Sequence, residues 1–224
     1  MLKIEAGTLD FLKKLKKNNN KEWFDANRAT YDAAKQNFIE YTASLIKGIS
    51  SFDDEFAAAE IEAKKCVSRI NRDIRFSKDK TPYKTNFFSI INQGGKKSNL
   101  AGYFFQLQPG NSFVGGGVYM PEPNDLLDIR KEIHYHLPEW KKIAEDKSFL
   151  KVFPDGVQAP EILTRVPKGF DANDPAEEYI RMKGFFTYLT FSDEELISGK
   201  AEKKIFKAYE STLPLIRFIN KALG

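Results

Sequence analysis

The apolar residues of this chain change their spacing near residue 85, and that change constrains the fold. Before it, Leu9, Leu12 and Leu15 recur at helical intervals, and a longer stripe repeats every seven residues: Phe24, Tyr31, Phe38 and Leu45. After it come three aromatic and β-branched runs separated by turn residues, namely TNFFSIINQ, GYFFQLQ and NSFVGGGVYM. We therefore expect amino-terminal helices followed by an antiparallel sheet of at least three strands.

Helices return after this sheet. Asn124 is a candidate N-cap for the next helix, FFTYLTF at residues 185–191 is typical of a strand, and Ser192 with Glu195 forms a capping box before a final helical region. The expected class is α+β, with the sheet packed against amino- and carboxy-terminal helices. Because no internal repeat or low-complexity linker occurs, residues 1–224 are expected to form a single α+β domain.

Local signals predict where some of these elements begin and end. Asn19 is a candidate N-cap for the second helix, with Glu22 three residues later, and that helix should end near Gly48. Pro214 is expected to break or kink the last helical region. A stretch rich in proline, glycine and aspartate, residues 153–175, is expected to wrap over the sheet.

Composition excludes several classes of protein. The single cysteine, Cys66, excludes an intramolecular disulfide, and no set of soft ligands predicts a structural zinc site. The chain contains no run of eighteen apolar residues, so we expect no membrane span. The amino terminus lacks the apolar stretch of a secretory signal. We expect a cytoplasmic protein with no membrane partner, and no motif predicts a cofactor or a metal. His134 and His136 point apart on the predicted helix, which favours a structural role.

One segment carries the whole net charge. Residues 69–84, RINRDIRFSKDKTPYK, contain six of the 35 basic and two of the 31 acidic side chains, so the rest of the chain carries 29 of each. We call these residues the cationic segment. A concentration of positive charge needs carboxylates from elsewhere in the fold or an anionic ligand.

The chemistry of the cationic segment favours anion binding. Arginine binds phosphate or carboxylate through two parallel hydrogen bonds, and lysine adds a mobile charge. The pattern leaves open whether residues 69–75 are helix or strand, but Pro82 predicts a turn that brings the later lysines towards the arginines. The arginines and the tyrosine of the segment are interleaved with Phe76 and Pro82, and we therefore expect them to be partly buried.

The order RDIRFSKDKTPYKT, residues 72–85, resembles the signature of an uncharacterised bacterial and fungal family, the domain-of-unknown-function family numbered 2461. Three other stretches are similar to that family: NNNKEWFDANRATYD at 18–32, GGGVYMPEPNDLLDIRKEI at 115–133 and LTRVPKGFDANDP at 163–175. The resemblance implies one domain over nearly the full chain, and it implies no activity, substrate or catalytic residue.

These observations define a candidate site. Its ligand-binding residues are Arg69, Arg72, Arg75, Lys80, Tyr83, Lys84, Arg130, Arg165, Lys168 and Lys183. Asp73 and Tyr83 are candidates for proton transfer, and whether the protein is an enzyme stays open.

Three functions fit this site. The first is a pocket for a phosphorylated or carboxylated small molecule. The second is a nucleic-acid or partner-binding module in which Tyr103 or Phe105 stacks on bases. The third is a structural network of ion pairs that binds nothing. Gly115, Gly116 and Gly117, inside a predicted strand, favour close backbone packing over a ligand pocket.

Overall fold

The computed structural model describes residues 2–95 and 97–224. The helices are α1 (Ala6–Lys17), α2 (Lys21–Ala26), α3 (Arg28–Ile49), α4 (Asp54–Ala57), α5 (Ala63–Cys66), α6 (Pro123–Tyr135), α7 (Leu137–Ala144), α8 (Lys147–Val152), α9 (Glu177–Ile180), α10 (Asp193–Ser198) and α11 (Glu202–Leu223). The strands are β1 (Phe87–Ile91), β2 (Gly102–Leu107), β3 (Ser112–Val118) and β4 (Phe185–Phe191). They form one antiparallel sheet in the order β1-β2-β3-β4, so the α+β class is confirmed.

The described chain divides into two compact units. The first extends to Ile91 and includes Phe104–Val114 and Thr190–Phe206. The second comprises Asn92–Tyr103, Gly115–Leu189 and Lys207–Gly224. The expectation of a single domain stays a prediction. No helix among the described residues is both long and apolar enough to cross a membrane.

The predicted heptad stripe forms the core of the first unit. Tyr31, Phe38 and Leu45 are buried on α3. The ring of Phe38 lies 5.3 Å from that of Phe87 and 5.4 Å from that of Phe105, centroid to centroid, and it therefore packs α3 onto the inner face of β1 and β2.

Trp140 lies at the centre of the second unit. Its ring is completely buried, and three aromatic rings surround it at centroid distances between 5.2 and 5.6 Å: Tyr179, Phe185 and Phe218. Aromatic side chains therefore dominate both cores, which explains most of the phenylalanine content.

Three helix boundaries differ from the sequence predictions. The second helix is interrupted at Asn27. Asn20, and not Asn19, caps α2 by accepting a hydrogen bond from the Trp23 amide. Glu122 is the N-cap of α6, whose first residue is Pro123, so the prediction of Asn124 is wrong. The predicted capping box of Ser192 and Glu195 is confirmed at the start of α10.

Helix α11 continues through Pro214, so a break at this residue is wrong, whereas the alternative of a kink stays a prediction. Proline removes the amide that would bond the carbonyl of Glu210, four residues earlier. Both residues are exposed, and water can therefore bond that carbonyl at little cost.

The stretch at residues 153–175 lies partly beside the sheet. Gln158 and Phe186 exchange two backbone hydrogen bonds of 2.7 and 3.1 Å, and Ile162 pairs with Met182. These residues therefore extend the edge at β4, whereas the sequence predicted a cover over the sheet.

The glycines of β3 permit close packing within the second unit. A Cβ atom on Gly116 would lie 2.6 Å from a methyl carbon of Thr212 on α11. Gly117 has φ of 119°, and a Cβ there would lie 2.1 Å from the carbonyl oxygen of Phe185 on β4. These positions require glycine for steric reasons, in agreement with the structural interpretation.

Candidate functional site

The cationic segment is an irregular hairpin that precedes β1 in the first unit. Asn71 and Tyr83 form an isolated antiparallel bridge, and the amides of Arg72 and Lys84 donate to the carbonyls of Pro82 and Ile70 at 2.9 and 2.8 Å. Residues 69–75 are thus neither helix nor regular strand. The predicted reversal does bring the later lysines towards the arginines.

Asn19 anchors this hairpin. Its side-chain amide donates to the Tyr83 carbonyl at 2.8 Å and accepts from the Tyr83 amide at 3.1 Å, in the manner of a neighbouring strand. The Tyr83 ring is buried and stacks on Phe24 with centroids 4.0 Å apart. This second role explains why Asn19 does not cap α2. It also makes Tyr83 an anchor of the hairpin rather than an open proton donor.

Arg72 holds the loop of the hairpin together from within. Its guanidinium donates to the Asp79 carboxylate, to the hydroxyl of Thr81, to the Thr81 carbonyl at 3.2 Å and to the Ser77 hydroxyl at 3.4 Å. Its side chain is only 26% exposed. The hydrogen-bond donors of Arg72 are therefore bound to partners within the cationic segment itself.

The same network holds Asp79 in its charged form. The pKa of this carboxyl is lowered to about 2, chiefly because it accepts a hydrogen bond from the Thr81 amide at 2.9 Å and also bonds Arg72. Asp79 is exposed, so solvent screens the ion pair and limits its contribution to stability.

Arg75 pairs with the other acid of the segment. Its guanidinium binds Asp73 through two hydrogen bonds of 2.9 and 2.6 Å. The hydrogen bond from Arg75 lowers the pKa of Asp73, which disfavours this carboxyl as a proton acceptor. Both side chains are exposed.

Phe76 is the most exposed large apolar side chain among the described residues, at 96%. The guanidinium carbon of Arg75 lies 5.9 Å from the centre of its ring, a weak cation–π contact. Partial burial, which the sequence predicted for the arginines and the tyrosine of the segment, is wrong for Arg69 and Arg75, because both are exposed. An aromatic ring placed fully in water among cations is unusual for a structural loop.

Three cations of the segment form no salt bridge with a carboxylate of the described residues. Arg69 and Lys78 are exposed, and Lys80 donates to the Ile74 carbonyl at 3.0 Å. Lys84 lies at the base of the hairpin and is partly buried. Three of the four surplus positive charges of the segment are therefore on an open surface.

The outer face of the sheet in the first unit also presents aromatic rings. Phe88 and Phe104 are half-buried and stack with centroids 6.2 Å apart, and Phe113 meets Phe104 edge-on at 6.0 Å. Tyr103 and Phe105, which the sequence suggested as stacking residues, are buried, so that assignment is wrong. Strand alternation places Phe104 on the face opposite Phe105, and this signal was available in the sequence.

The remaining predicted site residues belong to the second unit. Lys183 pairs with Glu161 at 2.8 Å, and Arg165 and Lys168 are exposed. Arg130 is buried on α6 and donates to the Met182 carbonyl at 2.9 Å. Among the described residues, no group of three or more histidine, cysteine, aspartate or glutamate side chains is arranged to hold a metal ion.

No curated protein and no solved structure matches this chain. A family model with the description "Conserved hypothetical protein (DUF2461)" matches residues 7–218. This match covers the cationic segment, both units and nearly the whole chain, and the protein therefore belongs to that family.

Proposed function

We propose that this protein binds single-stranded nucleic acid through the cationic segment, with Phe76 stacking on a base. The exposure of Phe76 beside cations carries this proposal. Base–aromatic stacking contributes about 1 to 3 kcal/mol per base in proteins that bind single strands. A strand offers alternating phosphates and rings, which complement a ring flanked by Arg75, Lys78 and Lys80.

The cations divide into two roles in this proposal. Arg72 and Arg75 shape the loop, because each is already bound to an aspartate of the segment. Arg69, Lys78 and Lys80 contact phosphates, because none of them forms a salt bridge with a described carboxylate. The unneutralised cations are therefore the ones that set the salt dependence of binding.

The sheet supplies further groups of the right chemistry in the same unit. Phe88 and Phe104 present ring surface, and the side-chain amides of Asn86 and Gln106 bond one another at 3.0 Å beside them. Rings and amides on an open sheet recur in proteins that bind unstacked bases. We propose that they extend the contact beyond one nucleotide, in the cytoplasm.

A small anionic molecule is the second candidate ligand. The bidentate geometry of arginine suits a phosphate or a carboxylate, and Arg69 keeps its guanidinium exposed. The open hairpin favours the polymer, because a small anion that stays in water gains little from exposed charges.

Fluorescence anisotropy with labelled single-stranded DNA and RNA of mixed sequence tests the main proposal. With about three phosphate contacts, the slope of log affinity against log salt should be about −2 for a single strand. Phe76→Ala should weaken binding roughly 5- to 100-fold, since stacking is lost, and Phe76→Tyr should retain it.

The matched control is Lys64→Gln, which removes an exposed cation of α5 in the same unit and should change little. Nucleotides, citrate and anionic vesicles serve as alternative ligands. Oligonucleotide affinity that is equal in the Phe76→Ala protein would refute the proposal, as would binding of anionic vesicles without binding of oligonucleotides.

A further inference from the structure

Arg130 is a buried cation that no acid neutralises among the described residues. The residue is 7% exposed; its Nη2 donates to the Met182 carbonyl at 2.9 Å, and its Nε lies buried without a hydrogen-bond partner. Burial lowers the pKa of this guanidinium, which reports the cost of holding the charge away from water. A buried charge of this kind usually has an anionic partner.

His134 lies one helical turn after Arg130 on α6, so the two side chains share a face. Its Nδ1 lies 2.5 Å from a carboxylate oxygen of Asp174, whose side chain is only 2% exposed. The second oxygen of Asp174 accepts from the Ala176 amide at 2.7 Å. A carboxylate at this position accepts a hydrogen bond from the tautomer that carries its proton on Nδ1, in which Nε2 has an available lone pair.

The imidazole remains accessible, with 38% of the side chain exposed. Phe170 meets it edge-on at 5.8 Å, centroid to centroid, and fixes the ring from the side of the loop at 163–175. The arrangement resembles a general base held by a buried carboxylate, the pairing that gives histidine a defined tautomer and orientation.

Several other charged groups of these elements are already paired. Glu177 of α9 binds Arg181 at 3.2 Å, and Asp128 of α6 binds Lys131 at 2.9 Å. His136 faces Glu132 at 3.7 Å. None of these acids bonds Arg130, so the unsatisfied donor on this face belongs to the guanidinium.

We propose that Arg130 and His134 form a second site, which binds a small molecule through its carboxylate or phosphate group and moves one of its protons. Arg130 binds the anionic group. Nε2 of His134 accepts a proton from an O–H or N–H group of the same molecule, and the imidazolium gives that proton to a different atom of the molecule or to water. Asp174 is the positioning residue, since it stabilises the imidazolium without touching the ligand.

This proposal lies in the second unit and does not depend on nucleic-acid binding by the first. A purely structural role is the alternative, because both side chains also bond the segment around α9, at Asp174 and Met182. Such a role needs no anion, and it predicts that added phosphate does not shift the NMR signals of the His134 ring nitrogens.

The test follows the ring nitrogens of His134 by long-range ¹H–¹⁵N NMR during titration with inorganic phosphate and, separately, acetate, at constant ionic strength set with chloride. We expect a saturable shift of the Nε2 signal with at least one anion. Arg130→Gln should weaken that binding at least tenfold, because a charge-assisted bidentate contact is lost. The control Lys131→Gln, at the neighbouring position of α6, should leave it unchanged.

Arg130→Gln also removes the bond to Met182, so Arg130→Lys, which keeps the charge, provides a second variant. The Arg130 Nε–H signal of the unmodified protein gives an independent measurement: it should shift at the same anion concentrations as His134. Unsaturable shifts with both anions, or equal affinity in folded Arg130→Gln protein, would overturn the proposal. Phe76→Ala should not alter the phosphate response, which separates this site from the first.

Discussion

At the scale of residues, the cationic segment uses its own acids to organise itself. Arg72 and Arg75 pair with Asp79 and Asp73, which lie within seven residues of them. Local pairing of this kind is cheap, because the chain brings the charges together without long-range folding. After this pairing, the exposed ring of Phe76 and the cations that form no salt bridge remain at the surface.

Asp79 should stay ionised well below the ordinary pKa of aspartate. Its folded pKa of about 2 lies below the ordinary value of 3.8, so its contribution to loop order is complete above about pH 4 and is lost as the pH falls towards 2. Carboxyl ¹³C NMR should show a midpoint near 2, and the urea-unfolded protein supplies the reference.

Arg72→Ala should raise that midpoint only in part, because the Thr81 amide bond remains and is the largest cause of the shift. A midpoint near 3.8 in the unmodified protein would show that the hairpin loop does not hold Asp79 as described.

At the scale of elements, the glycines of β3 allow neighbouring elements to pack closely against this strand. Gly116 admits a methyl group of α11, and Gly117 admits the backbone of β4. Neither contact leaves room for a side chain, so a glycine-rich strand that would be weak alone gains from close packing.

Gly117→Ala should destabilise the protein more than Gly169→Ala. Both glycines have positive φ, 119° and 101°, so each alanine costs about 1 to 3 kcal/mol of backbone strain. A Cβ on Gly169 meets nothing within 4 Å, whereas one on Gly117 collides with Phe185, which adds roughly 1 to 3 kcal/mol. Urea denaturation measures both, and equal losses would contradict the close approach of β3 and β4.

At the scale of the whole molecule, each compact unit contains one tryptophan. Trp23 lies in the first unit and stacks on Phe11 with centroids 6.0 Å apart, and Trp140 is buried in the second. The bounds of β2, β3, β4 and α11 show that each of these elements contributes residues to both units. Shared elements favour cooperative unfolding.

Trp23→Phe and Trp140→Phe proteins should each unfold in a single transition. In each variant, the fluorescence of the remaining tryptophan and the far-ultraviolet circular dichroism should give the same urea midpoint, because a single domain unfolds as a whole. The comparison is made within each variant, so the stability lost by trimming Trp140 does not affect it. Separate midpoints would divide the chain into two domains and refute the prediction of one.

Local signals in the sequence were sufficient to predict the class of the fold and the location of its charge. Heptad spacing identified the buried face of α3, alternating aromatic runs identified the strands, and the charge count located the cationic segment, because each of these signals is local and periodic. The capping box of Ser192 and Glu195 could also be predicted from the sequence, because the two residues are only three positions apart.

The partners of several charged and polar side chains, in contrast, depend on contacts between residues that are far apart in the chain. Asn19 bonds Tyr83 across 64 residues, Arg130 meets Met182 across 52, and His134 meets Asp174 across 40. No periodic pattern reports such pairs, because chain folding rather than sequence spacing brings them together. The same reason explains the exposure of Phe76: burial requires a neighbour that packs on the ring, and no sequence pattern reports whether the fold supplies one.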